Sequence, residues 1–261
     1  MKGPGWRRVE IACSAGLIGK TVGVEGIAES RADVLLRVEL IDGRSLRHVL
    51  TADNPSLTIP ERESRLSVLK DYGILGVEHI LTGFDHLLFV LGLTLLVKGG
   101  RRLLWTITAF TLGHSITLAL AIFGLIRFPT ALIEIGIALS IYILAVELVR
   151  PKNNSLLRKF PGLMAGCFGL LHGLGFANAL AEVGLRDGEV PLALFAFNMG
   201  IEIGQLLFVG LVLAVWTMLR RLPFNWPQPA RQVPAYVIGS LAAFWLLERS
   251  WGLVAMWEIP G

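Results

Sequence analysis

Leu75–Val97 reads LGVEHILTGFDHLLFVLGLTLLV. The stretch is long and apolar enough to cross a hydrocarbon core, which takes about 20 residues in a helix. It nevertheless carries His79, Asp85 and His86, with Glu78 beside His79. In one continuous helix His79, Gly83 and His86 fall at i, i+4 and i+7, so they share a face. Ionisable side chains within a span are costly to insert and are functional candidates by default.

The same composition extends along the chain. Of 261 residues, 54% are hydrophobic and 17% charged, with mean hydropathy +0.63. A soluble domain carries about 25% charged residues, and here the charges cluster in the N-terminal segment and between apolar runs. Helices are expected near 75–97, 102–124, 129–149, 161–182, 191–219 and 233–254. Pro129, Pro161, Pro191 and Pro234 mark four of the starts, because proline suits a first helical turn whose N–H is unpaired anyway. The fold class is therefore an all-α polytopic membrane bundle of about six transmembrane helices. It is preceded by a small β segment, with domains expected at 1–68 and 69–261.

Lys98, Arg101 and Arg102 flank the first loop. Arg150, Lys152, Arg158 and Lys159 lie in the third, and Arg220, Arg221 and Arg231 in the fifth. The even loops hold only Arg127 and Arg186. The positive-inside rule puts the odd loops in the cytoplasm and both termini outside. The net charge of +4 is then a matter of topology, and no nucleic-acid partner is expected. Trp105, Trp216, Trp251 and Trp257 fall near helix ends, where indole rings anchor at the interface.

The N-terminal segment offers strands at Lys20–Ile27, Ala32–Ile41 and Ser45–Thr51, the last two joined by the turn signal Asp42-Gly43. Asn54-Pro55 and Pro60 interrupt the pattern. Three strands make a thin sheet. No signal-peptide pattern opens the sequence either, since the stretch after Lys2, Arg7 and Arg8 is short and carries Glu10. The segment is therefore expected to be the later part of a larger β domain. Cys13 and Cys167 form no CxxC and are not expected to pair.

The remaining polar residues of the apolar runs converge in depth. Counted at about 1.5 Å per residue, His86, His114, His172 and Glu202 each lie roughly 16–18 Å from a helix end, near the bilayer middle. By the same count His79 and Glu134 lie within roughly 8 Å of the outer side and would form a vestibule. Imidazoles and a carboxylate at one level suit a divalent transition metal, with zinc, copper, iron and nickel all compatible. Asp85, His79, His86, His114, His172 and Glu202 are the candidate ligands. Ser115, Glu134, Asn198 and Gln205 are candidates for the pathway or for orienting ligand rings. Glu147 reads as an interfacial residue, its charge reaching water at the inner end of the third helix. Gly162, Gly166, Gly169 and Gly173 form a small-residue stripe that reads as close helix packing beside His172.

Certain of these stretches resemble a known family. His79, Gly83, Asp85 and His86 are similar to the first-helix signature H-P-x-x-G-x-D-H of the HupE/UreJ proteins, with Ile80 in the proline position. GVEHILTGFDHLLFVLGL, TAFTLGHSITLALA, LLHGLGFA and FNMGIEIGQ resemble the branch carrying an extra N-terminal domain, over roughly residues 20 to 255. A second signature, F-H-G-x-A-H-G-x-E, is matched by Gly169, His172 and Gly173. Phe168 stands at its first His and Gly175 at its Glu, which leaves His114 and Glu202 as replacement candidates. The resemblance implies a bacterial cytoplasmic-membrane protein that moves nickel or cobalt.

The leading expectation is thus uptake of a divalent metal, nickel before cobalt or zinc, as substrate and not as a permanently bound cofactor. No GxxxxGK[ST] occurs, so ATP hydrolysis by this chain is not expected. An intramembrane metal-dependent hydrolase could use the same histidines, with Asp85 or Glu202 as base and Ser115 orienting substrate. A metal-sensing or metal-delivery accessory protein is the third reading. Oligomerisation is left open.

Overall fold

The computed structural model describes residues 16–24, 27, 34–40, 45–52, 54–59, 64–150, 155–182, 190–221 and 232–257. Two compact units meet in sequence between Ser64 and Arg65.

The first unit holds four short strands. β2 (Val34–Glu39) and β3 (Ser45–Leu50) pair antiparallel with Leu36 opposite His48 and Val38 opposite Leu46. Their connecting turn at Asp42-Gly43 lies outside the described residues. β1 (Thr21–Gly23) pairs antiparallel with β4 (Ser56–Thr58), and the Thr21 and Thr58 hydroxyls meet at 2.9 Å. The described strands thus form two two-stranded ribbons and not one three-stranded sheet. β4 falls between the two prolines read as breaking the pattern. Proline is tolerated at the margin of a strand, where no ladder N–H is required of it. Ile27, Val38, Leu50 and Ile59 are buried in this unit.

The second unit is helical. Its opening stretch is not the single helix expected over 75–97. α1 (Arg65–Thr82) and α2 (Phe84–Leu96) meet at a 75° bend. Gly83 sits between them with φ −78° and ψ 94°, an extended conformation. The new helix opens with Asp85 in its first turn, and the Asp85 carboxylate accepts from the His86 backbone N–H at 2.9 Å. A carboxylate there satisfies an otherwise orphaned donor and complements the helix dipole.

The other elements are α3 (Gly100–Ile122), α4 (Thr130–Val149), the single turn α5 (Leu156–Lys159), α6 (Pro161–Glu182), α7 (Val190–Arg221) and α8 (Val233–Trp257). Pro129 immediately precedes α4, Pro161 opens α6, and Pro191 and Pro234 occupy second positions, as a first-turn preference requires. Among the described residues, α3, α4, α7 and α8 are long and apolar enough to cross a membrane, and the bent α1–α2 pair makes a fifth, broken span. In α6, which runs for 22 residues, Pro161–Phe176 registers only as a shorter apolar helix. The six spans expected are therefore four, or five with the bent pair, by length and composition.

Helices pack chiefly in pairs: α3 on α6, α1 on α7, and α4 on α8. Small residues make two of these pairings possible. A Cβ at Gly113, Gly169 or Gly173 would run into the backbone carbonyls of Gly166, Phe110 and His114 respectively. The glycine stripe on α6 therefore is a packing seam, against α3. The α1–α7 pair uses the same device, unread in the sequence: a Cβ at Gly76 or Gly200 would strike the carbonyl of Phe197 or Gly73.

α2 lies within the assembly, touching α3, α4, α7 and α8. Its Phe89, Val90 and Leu93 join Ile107 and Phe110 of α3, Ile137, Ile141 and Leu144 of α4, and Ile238 of α8 in one buried cluster. At its broken end His86 is buried among protein side chains, while Leu81 and Phe84 on either side of Gly83 are exposed.

At one end of α4, Glu147 is buried and not interfacial as read. Its carboxylate accepts from Arg158 Nε at 2.8 Å and Ser155 Oγ at 2.5 Å, while its carbonyl accepts from Arg158 Nη2 at 2.6 Å. Arg102 in turn donates to the carbonyls of Arg158 and Lys159, at 2.7 and 3.0 Å. These bonds tie α5 to α3 and α4. The basic loop residues here are thus partly structural.

Candidate metal site within the helix bundle

The bend at Gly83 builds the site. It folds the last turn of α1 against the first turn of α2, so the rings of His79 and His86 lie 4.8 Å apart between centroids. His114, from the middle of α3, stands 5.9 Å from His79 and 5.8 Å from His86. One ring nitrogen from each of the three can be chosen so that all lie within 4.8 Å of one another. His79 therefore belongs to the deep group and is not an outer station above it. The depth count assumed one straight helix axis from His79 to His86, and the bend removes it.

The hydrogen bonds around these rings are incomplete in an informative way. His79 Nε2, His86 Nε2 and both nitrogens of His114 are buried without a partner. Buried polar atoms are normally satisfied, and leaving one unpaired costs about 1–3 kcal/mol. Asp85 Oδ1 lies 3.1 Å from His86 Nδ1. An ionised carboxylate only accepts, so the proton belongs on Nδ1 and the lone pair on Nε2. This is the arrangement in which a carboxylate orients a metal-ligating imidazole.

His172 on α6 lies beside this group and outside it. Its ring is 5.0 Å from that of His86 and is flanked by Phe89 at 5.2 Å and Phe110 at 5.1 Å. Its Nε2 is 3.1 Å from Ser140 Oγ, whose own proton goes to the Ile137 carbonyl at 2.7 Å. Ser140 must then accept from His172, which leaves Nδ1 as a free lone pair, buried and without a partner. Ser140 was not singled out in the sequence, where a lone serine in an apolar helix carries no signal.

Glu202 on α7 is not part of the three-histidine group among the described residues. Its carboxylate accepts from Thr108 Oγ1 of α3 at 2.5 Å. Gln205, fully buried, accepts from Thr111 Oγ1 at 2.9 Å, and its Nε2 has no partner. Asn198 donates to the Leu194 carbonyl at 2.8 Å and keeps its Oδ1 unpaired. Ser115 donates back to the Thr111 carbonyl at 2.6 Å, within its own helix. Glu134 is partnered by Arg249 of α8, which donates to its carbonyl at 2.9 Å and approaches its carboxylate at 3.9 Å. Arg249 was missed because nothing local distinguishes it from an interfacial arginine.

On another side of the group lies an aromatic cap. Phe176 of α6 and Phe197 of α7 stack at 5.1 Å and 3°, and Phe176 sits 4.0 Å from the His79 ring.

Taken together, these features are those of a multi-pass membrane protein with a histidine site enclosed by its helices. The family model described as HupE / UreJ protein matches residues 55–249, and the chain belongs to that family. Comparison with curated proteins and with solved structures finds no match.

Proposed function

We propose that the protein carries a divalent transition metal ion, nickel first and cobalt or zinc as alternatives, across the bacterial cytoplasmic membrane. The observation that carries the reading is the convergence of His79, His86 and His114, with four buried ring nitrogens that lack any partner. Neutral imidazoles of this kind are ligands for late transition metals. Asp85 orients His86, and His172 offers a further lone pair beside it. Family membership supports the same reading, through the nickel and cobalt transport that the resemblance implies. In this reading α6 is the sixth span, the odd loops are cytoplasmic and both termini are extracytoplasmic.

A zinc hydrolase would use the same histidines with a carboxylate as base on the bound water. Asp85 Oδ1 is engaged by the backbone and ring of His86, and Glu202 Oε1 by Thr108. Family membership is what places transport first.

The test is accumulation of radioactive nickel, with cobalt and zinc as competitors, in a host lacking its own nickel importers. His79→Ala, His86→Ala and His114→Ala are each expected to abolish accumulation at unchanged expression. No accumulation of any divalent metal above the empty-vector control, by well-expressed wild type, would reject the permease reading.

A further inference from the structure

We propose that the α3–α7 seam holds a second cation station, made of oxygen donors, through which the ion leaves the histidine site toward the cytoplasm. The inference rests on the permease reading. On α3, Thr108, Thr111 and His114 recur every three residues and so follow one face. On α7, Asn198, Glu202 and Gln205 do the same at i, i+4 and i+7. Two cross-helix bonds join these faces, Thr108 to Glu202 and Thr111 to Gln205.

The seam therefore starts at His114, one of the three clustered histidines. It extends about 9 Å along the α3 axis to Thr108, by the helical rise. It runs toward Gly100, the end of α3 flanked by Lys98, Arg101 and Arg102, which is the cytoplasmic end by the charge rule.

Its donors differ in kind from those of the histidine site. Asn198 Oδ1 is buried beside His114, where the seam meets the histidine site. Gln205 Nε2 is unpartnered, but the two ends of an amide are distinguished only by their bonds. Turned over, Gln205 would donate to Thr111 Oγ1, whose own proton can go to the Ile107 carbonyl at 3.3 Å. That satisfies the stranded N–H and leaves Gln205 Oε1 free. Glu202 adds the one negative charge of the seam. A carboxylate with amide oxygens holds a late transition metal more weakly than three imidazoles do. The histidines would capture the ion, and the oxygen station would accept and release it. Conduction needs this combination of entry affinity and ready departure.

The experiment compares wild type, Glu202→Gln, Glu202→Asp and Thr108→Val in two assays. Nickel binding to the purified full-length protein is measured by calorimetry, and nickel uptake is measured in cells. Glu202→Gln should keep the tight nickel-binding event of the histidine site, lose the weaker second event, and take nickel up at least about tenfold more slowly, because the exit step loses its charge. Glu202→Asp should restore part of the uptake, and Thr108→Val should slow it with the tight event intact. Wild-type uptake by Glu202→Gln would overturn the station and leave the permease reading standing. Loss of the tight event by Glu202→Gln would also overturn it, since Glu202 would then belong to the capture site or to the fold. Binding without uptake by wild type would overturn the permease reading itself, and the station with it.

Discussion

At the residue scale the chemistry depends on which imidazole nitrogen is free. Asp85 settles this for His86 by engaging Nδ1. Asp85→Asn should lower nickel affinity by about 10- to 100-fold, the usual cost of losing a group that orients a ligand. Calorimetry on purified protein would measure it, and unchanged affinity would remove Asp85 from the site. Protons compete with metal for the same lone pairs. Only the neutral imidazole ligates, so affinity should fall on acidification. Affinity that stayed unchanged down to the pH at which the protein unfolds would argue against a histidine-dominated site.

At the element scale the bundle depends on backbone approach. The α3–α6 pair carries both His114 and His172, and it closes over Gly113, Gly166, Gly169 and Gly173. A methyl group at Gly169 would meet the Phe110 carbonyl and the His114 backbone nitrogen, neither of which is a flexible side-chain tip. Gly169→Ala should therefore destabilise the protein by about 1–3 kcal/mol, the ordinary cost of overpacking. Gly210 faces open space on α7, so Gly210→Ala should be silent or slightly stabilising. Thermal unfolding in detergent would separate the two. Equal melting temperatures would mean that the α3–α6 seam opens more readily than its geometry suggests. The bend at Gly83 is the second element-scale feature, and a Cβ there would stand 2.9 Å from the His79 carbonyl and 3.0 Å from His86 Nδ1.

For the whole molecule, the helices face lipid with side chains such as Leu207, Leu211, Phe244 and Leu247, all exposed on the isolated chain. With α1–α2 as one broken span and α6 as the sixth, reporter fusions in the first, third and fifth loops should read cytoplasmic. Fusions at both termini should read external. A cytoplasmic C-terminus with an external N-terminus would require an odd number of spans, and α6 would be the first to be doubted.

Hydropathy, loop charge and the four prolines were enough to read a membrane bundle and most helix starts, because these properties are local. The His79–His86 run, the glycine stripe on α6 and the convergence of His86 with His114 were also legible, through spacing and helical rise. The break at Gly83 had a local cue that went unused: glycine followed two residues later by Asp85 is a pattern for a new helix start. Other features had no local cue. The pairing of His172 with Ser140, of Glu202 with Thr108 and of Glu134 with Arg249 depends on which helices become neighbours. Every apolar helix looks alike to lipid, so hydropathy is silent on that choice. Close packing of glycine-lined backbones makes it, and the bend at Gly83 brings His79 beside His86 and His114.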